Sequence, residues 1–358
     1  MSAMTGRRGA GPAGRSSETN ALDALLRDTR SAVSPLRRTL EEIFEQASEV
    51  NEGRVADYIP ELARADPAWF AVSVVTTEGE CFDVGDSHRL FTLQSISKPF
   101  VYGMALQDHG REGVLERVGV EPTGEAFNSI VLDPASHRPF NPMVNAGAIA
   151  TTDLLRGKDY PERMARLLGG LGRFAGRDLY VDNAVFLSER MTGHRNRAIN
   201  HLMKAFGIVG DLFEESLELY FQQCSVLVNS HDLAVMAATL ANEGTNPLTR
   251  EPALEATYVK NVLAIMLSCG MYDYAGEWCW RVGLPAKSGV AGGLLAVVPG
   301  VLGIGVYSPL IDAKGNCPRG VKACKEFSTR FGLHCFAAAS ERRDMRREIN
   351  GNTTRGAS

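Results

Sequence analysis

Paired cysteines, metal-ligand spacings, long apolar runs and a dominant charge are all missing from this sequence. Its seven cysteines (Cys81, Cys224, Cys269, Cys279, Cys317, Cys324 and Cys335) stand singly, with no Cys-x-x-Cys and an odd total. That pattern excludes a disulfide framework and suits buried thiols in a reducing cytoplasm. The seven histidines are dispersed and no His-Glu-x-x-His spacing occurs, so no bound catalytic metal is expected. No apolar stretch approaches the ~18 residues of a membrane span. The arginines near the start are not followed by an apolar segment, which excludes a signal peptide. Lysine plus arginine number 38 and aspartate plus glutamate 42, interspersed, for a net charge of −4. Nothing there calls for a nucleic-acid partner. A literal G-x-G-x-x-G at Gly9, Gly11 and Gly14 has no strand before it and Pro12 within it, so it is not a nucleotide loop. No internal repeat is evident.

What is present is an ordinary globular composition: 358 residues, 44% hydrophobic and 22% charged. A chain of that size buries a core without staples. Order is expected to begin near Ser34, with Ser34 as N-cap, Pro35 at the first helical position, and Leu36, Leu40, Ile43 and Ala47 on one face. Residues 1–33 read as a flexible Gly/Arg-rich tail, and residues 339–358, charged without apolar partners, as a second. "WFAVSVVTTEGECFDVGD" predicts two strands turning at Glu78-Gly79. From about 100 to 260 the pattern is mostly helical. "HDLAVMAATLANEG" predicts a helix capped by Ser230 and ended by Gly244. Late in the chain, two apolar runs turn at Pro299-Gly300, and "VKACKEFSTRFGLH" predicts a closing helix. The fold class is therefore α+β: an antiparallel sheet flanked by helices, built from 34–100 and 262–338, with an inserted helical subdomain over 101–261. An active site would lie in the cleft between the two parts.

Two short motifs carry chemistry. In "LFTLQSISKPF", Ser95 and Lys98 share a helix face. Pro99 places the helix start beside Ser95, because only the first turn tolerates a missing N–H. The serine then sits at the positive end of the helix dipole, and a lysine in a dry cleft can lose its proton and act as base. Alone, the pattern favours an N-cap serine followed by a surface lysine. In "GLPAKSGVAGG", Lys287-Ser288-Gly289 stands just before a predicted strand and alone fits a hairpin with a glycine bulge. Together, S-x-x-K early and K-[ST]-G late form the pairing of penicillin-binding-type serine acyl-transferases. The second segment lies beside the serine and offers backbone N–H groups to the acyl oxygen.

Further stretches extend the pattern. "ADYIPELA", "LQSISKPF", "FNPMVNAGAI", "LSERMTGHRN", "YFQQCS" and "CGMYDYAGEW" occur in order between about 34 and 338, with "GLPAKSGVAGGLLAVVPG" after them. The chain closely resembles the glutaminase family, the serine-dependent bacterial and mitochondrial-type enzymes with a β-lactamase-like fold. It resembles their minimal bacterial catalytic unit rather than members with ankyrin repeats. The resemblance implies Ser95 as nucleophile, Lys98 as proton acceptor and Tyr272 as a second hydroxyl at the reaction centre. It implies that Tyr58 faces the same centre, and that the N–H of Val290 shares the oxyanion hole with that of Ser95. Asn145, Glu189, Asn196 and Tyr220 match positions that hold the substrate. L-Glutamine is the implied substrate, with no cofactor, and the implied assembly is a homo-oligomer, a tetramer.

The residue types suit glutamine in their own right. Glu189 can pair with the α-ammonium, while Asn145, Asn196 and Tyr220 can bond the α-carboxylate. Singly, each has a plain alternative: Glu189-Arg190 as a surface pair, Asn145-Ala146-Gly147 as a turn or cap, Tyr220 as core. Tyr272 is undecided by residue type. Two other functions stay open, a β-lactamase or D-Ala-D-Ala peptidase and a non-catalytic scaffold. The absence of an export signal and of an S-D-N element counts against the first, and the intact Ser95, Lys98 and Tyr272 set against the second.

Overall fold

The computed structural model describes residues 34–124, 129–338 and 340–341, so the tail expected at 1–33 and most of that at 339–358 lie outside the described residues. Helix α1 (Pro35–Ser48) begins where proline and serine demand it. The Ser34 side chain accepts the Leu36 N–H at 3.2 Å, and Leu36, Leu40, Ile43 and Ala47 are fully buried. After the short β1 (Arg54–Val55), strands β2 (Ala71–Thr76) and β3 (Cys81–Gly85) form the expected hairpin. Strand β4 (Phe91–Thr92) leads into α2 (Lys98–Leu115). Five helices follow: α3 (Asn145–Asp153), α4 (Tyr160–Ala175), α5 (Asn183–Thr192), α6 (His194–Ala205) and α7 (Phe213–Cys224). Strand β5 (Leu227–Val228) precedes α8 (Ser230–Ala241), α9 (Ala256–Cys269) and α10 (Ala275–Arg281). The chain then returns through β6 (Ala286–Ser288), β7 (Gly293–Val298), β8 (Leu302–Tyr307) and β9 (Leu310–Ile311) to α11 (Pro318–Phe331).

The main sheet has the order β3-β2-β8-β7-β6, with every neighbouring pair antiparallel. Strand β2, from the early part of the chain, pairs with β8 from the late part, so both ends build one sheet as expected. Alternate side chains divide the sheet into two faces. Val72, Val74, Leu294, Ala296, Ile304 and Val306 pack with residues of α1 and α11 into one cluster. The other face receives α8. A Cβ on Gly303 would stand 2.1 Å from the Ala238 nitrogen, and one on Gly305 the same distance from the Ser230 carbonyl oxygen. Only two bare backbone positions let this helix lie so close.

Two local expectations change. Helix α8, read as part of the helical insertion, lies against the sheet because it is apolar all round and needs burial on every side. Its cap is Asn229, in a reciprocal capping box with Asp232, and not Ser230. Ser230 is the first helical residue, and its hydroxyl meets that of Ser73 at 2.9 Å. Lys287 and Ser288 stand just before strand β7, as expected, and in addition form a short edge strand of their own, β6. Among the described residues no helix is long and apolar enough to cross a membrane.

Candidate active site

A 3-10 turn, Gln94–Ser97, stands between β4 and α2 and carries Ser95. Gln94 is held in a left-handed backbone, φ +49, which is costly for any residue with a Cβ. The turn is braced from behind. Ser97 Oγ donates to the Gln94 carbonyl at 2.7 Å and accepts from Gln223 Nε2 at 3.0 Å. Pro99 lies in the first turn of α2, as its missing N–H requires. Ser95 therefore sits one short turn ahead of the helix, at its positive end.

Lys98 is completely buried beneath the serine turn. Its amine donates to the Met143 carbonyl at 3.0 Å and to Asn145 Oδ1 at 2.8 Å. Among the described residues no hydrogen bond links it to Ser95. The two oxygens draw the amine instead. Burial lowers the Lys98 pKa from 10.5 to about 8. An uncharged amine has two N–H groups and a lone pair; the two acceptors take the former and leave the latter free.

Ser95 is hydrogen-bonded to the Tyr272 hydroxyl. That hydroxyl donates to the Ser288 carbonyl at 3.1 Å, and a phenol has a single proton, so its oxygen accepts from Ser95. Tyr272 also has a positive φ, +55, which gives a second strained residue at the serine. Burial raises the tyrosine's pKa, and the bond with Ser95 counters this only in part. Val290 follows β6 and faces the same space as Ser95. Among the described residues, the backbone N–H groups of Ser95 and Val290 have no hydrogen-bond partner.

Opposite the serine, α5 presents Glu189. The Tyr58 hydroxyl donates to Glu189 Oε1 at 2.7 Å and lies 3.4 Å from Gln94 Oε1. Burial raises the Glu189 pKa, while its bonds with Tyr58 and Gln94 oppose the rise. Asn145, the first residue of α3, donates from Nδ2 to Asn196 Oδ1 at 3.0 Å; its Oδ1 accepts from Tyr220 at 3.3 Å as well as from Lys98. Ser95, Tyr58, Asn145, Glu189, Asn196, Tyr220 and Val290 all line one pocket of about 480 Å³. Lys98 is fully buried and is not among the residues that line it. Tyr272 lines a second cavity of about 280 Å³.

The family model described as glutaminase matches residues 53–336. The chain belongs to the glutaminase family. A glutaminase of Microcystis aeruginosa is 57% identical over 321 residues, covering 90% of this chain and 95% of that protein. One of Nostoc sp. is 57% identical over 303 residues, 85% of this chain and 91% of its own length. Among solved structures, a probable glutaminase, ybaS, superposes with TM-score 0.82 at 39% identity, covering 85% of this chain and 99% of its own. Mglu in its glutamate form does so with TM-score 0.81 at 44% identity, covering 85% of this chain and 70% of its own.

Several pocket residues of this glutaminase-family chain went unremarked in its sequence. Gln94, Arg54, Cys224 and Asp312 all line the pocket. Gln94 adjoins Ser95, and its neighbour's motif was the one available signal. Arg54 lies on β1 and Asp312 just beyond β9, a ribbon of two residues per strand that is too short to show periodicity. The Cys224 thiol, beside Tyr220, has its pKa pushed by burial up to about 12, so it stays protonated and cannot rival the serine.

Proposed function

We propose that this chain hydrolyses L-glutamine to L-glutamate and ammonia through an acyl-enzyme on Ser95. Glutaminase-family membership carries the reaction, and the observation that carries the mechanism is the setting of Ser95. This serine stands between two strained residues, Gln94 and Tyr272, lines the pocket, is bonded to a phenol, and is followed three residues later by a buried lysine whose lone pair is free. Ser95 Oγ attacks the side-chain amide carbon, and its proton passes to the Lys98 amine, directly or through Tyr272. The oxyanion forms where the free N–H groups of Ser95 and Val290 point. A proton returned from Lys98 or Tyr272 to the amide nitrogen lets ammonia depart. Water then attacks the γ-glutamyl ester by the same path in reverse, releasing glutamate and restoring the serine.

Glu189 receives the α-ammonium, and Asn145, Asn196 and Tyr220 bond the α-carboxylate. The glutamate form of Mglu supports a pocket of this kind. We read the protein as acting in the cytoplasm as a homo-oligomer, a tetramer, which size-exclusion chromatography with light scattering tests. The mechanism is tested by ammonia release from glutamine with Ser95→Ala as control, and by labelling with a diazo-ketone analogue of glutamine. Mass spectrometry should place the label on Ser95. A label on Cys224 or Cys269, or ammonia release by Ser95→Ala near the parent rate, removes the serine from its role.

A further inference from the structure

Lys287 is buried to its last atom, and the reaction just described gives it no task. Among the described residues neither Lys98 nor Lys287 is in an ion pair. A buried ammonium with no carboxylate beside it gives up its proton rather than bear the desolvation. Burial, and then the neighbouring Lys98, both push Lys287 well below the ordinary lysine range. Both causes favour the neutral amine, which can donate but carries no charge.

Its position says what it donates to. Lys287 Nζ donates to the Ser288 carbonyl at 2.6 Å and stands 4.0 Å from the centre of the Tyr272 ring. The same carbonyl accepts the Tyr272 hydroxyl at 3.1 Å. A carbonyl oxygen has two lone pairs. Here the amine and the phenol occupy both. That double occupancy fixes the direction of the phenol's one proton, and with it the lone pair that receives Ser95. Without the amine, the carbonyl would be half satisfied and the ring would lose the atom packed on its face. The positive φ of Tyr272 is a strain that only surrounding contacts can hold.

We propose that Lys287 is a positioning residue: by filling the Ser288 carbonyl and packing on the Tyr272 ring, it keeps the tyrosine hydroxyl on Ser95. The proposal rests on the reading of Ser95 as nucleophile and Tyr272 as its partner. Lys287 touches neither substrate nor the reacting atoms, so its effect passes through Tyr272.

The experiment uses the full chain and follows kcat and KM for glutamine across pH in Lys287→Met, Lys287→Gln, Tyr272→Phe and Lys287→Met/Tyr272→Phe. In Lys287→Met, kcat should fall by more than about tenfold with KM within about threefold, because the Glu189 end of the pocket is untouched. Adding Tyr272→Phe should then cost far less than it does alone, since both changes disable one unit. The acid limb of the profile should stay in place, because a neutral neighbour does not repel the Lys98 proton. Lys287→Gln, a neutral side chain that still donates, should recover most of kcat.

An unchanged kcat in Lys287→Met, multiplying effects of the two substitutions, or an alkaline shift of the acid limb each overturn the proposal. The last outcome would mean that Lys287 is charged and acts on Lys98. Should Lys287→Met fail to fold by circular dichroism, Lys287→Gln decides: near-parent kcat with an unmoved limb supports the role, and kcat as low as that of Ser95→Ala overturns it. If Ser95→Ala or Tyr272→Phe is itself fully active, the underlying mechanism has failed. If those two behave as expected and the Lys287 variants do not, only the present inference has failed.

Discussion

At the scale of single residues, chemistry and stability oppose each other at Lys98. The pKa lowered from 10.5 to about 8 means that activity should rise as pH climbs through about 8, where the amine loses its proton. Lys98→Arg keeps the charge and cannot lose it, so it should be as inactive as Lys98→Ala. The same shift sets a stability signature. Below pH 8 the folded protein carries the full penalty of a buried ammonium. Between pH 8 and 10.5 the unfolded chain holds the extra proton, so raising pH favours the fold. The unfolding free energy of the parent relative to Lys98→Met should therefore improve by about 3 kcal/mol across that window, as urea titrations would read. A flat difference would mean that Lys98 is not a buried titrating amine. Glu189 acts at the other end of the pocket. On the proposed mechanism, Glu189→Gln should leave the substrate ammonium unpaired, at a cost of about 3 kcal/mol in kcat/KM. Kinetics unchanged within about twofold would remove the carboxylate from recognition. These residues were legible because their neighbours in sequence carry recognisable motifs. Gln94 was not, since its role comes from a left-handed backbone and from contacts with Tyr58 and Glu189, far away along the chain.

At the scale of elements, periodicity was a sound guide where an element has two unlike sides. Helix α1 has one buried face and a serine-proline start, and the hairpins of β2–β3 and β7–β8 are legible as paired apolar, β-branched runs broken by a glycine turn. Helix α8 defeats that logic. Its buried residues run almost without break from Ser230 to Ala241, so no polar face tells which layer it joins. Its partner surface is written elsewhere, in Gly303 and Gly305, which are silent as side chains. Gly303→Ala should therefore be severely destabilising, by on the order of 4 kcal/mol, because the new methyl meets backbone that cannot turn aside. Thermal unfolding measures this. A near-parent melting temperature would show that α8 does not lie on the sheet at that distance. The two-residue strands β1, β4, β5 and β9 escaped notice for a different reason: two residues show no period.

At the scale of the whole molecule, the site is a product of long-range closure. Tyr58 and Glu189 are 131 positions apart, and the serine turn meets β6 only because β6 edges a sheet begun by β2. Sequence alone could name the participants but not the distances among them, because those depend on how the sheet and the helices come together. One consequence concerns the ends of the chain. Every residue lining the pocket lies between Arg54 and Gly315, and the family match spans residues 53–336. Helices α1 and α11, which cover the outer face of the sheet, lie between Pro35 and Phe331. A chain of residues 34–341 thus retains both the pocket and the layers that support it. It should fold and hydrolyse glutamine with kcat/KM within about threefold of the full chain, since the described core and the pocket lie within it. Light scattering on both forms separates two ways of failing. If the shortened chain is folded by circular dichroism and inactive at the parent's assembly state, the removed segments reach the pocket. If activity and assembly fall together, those segments act through contacts between copies, and the site depends on a neighbour.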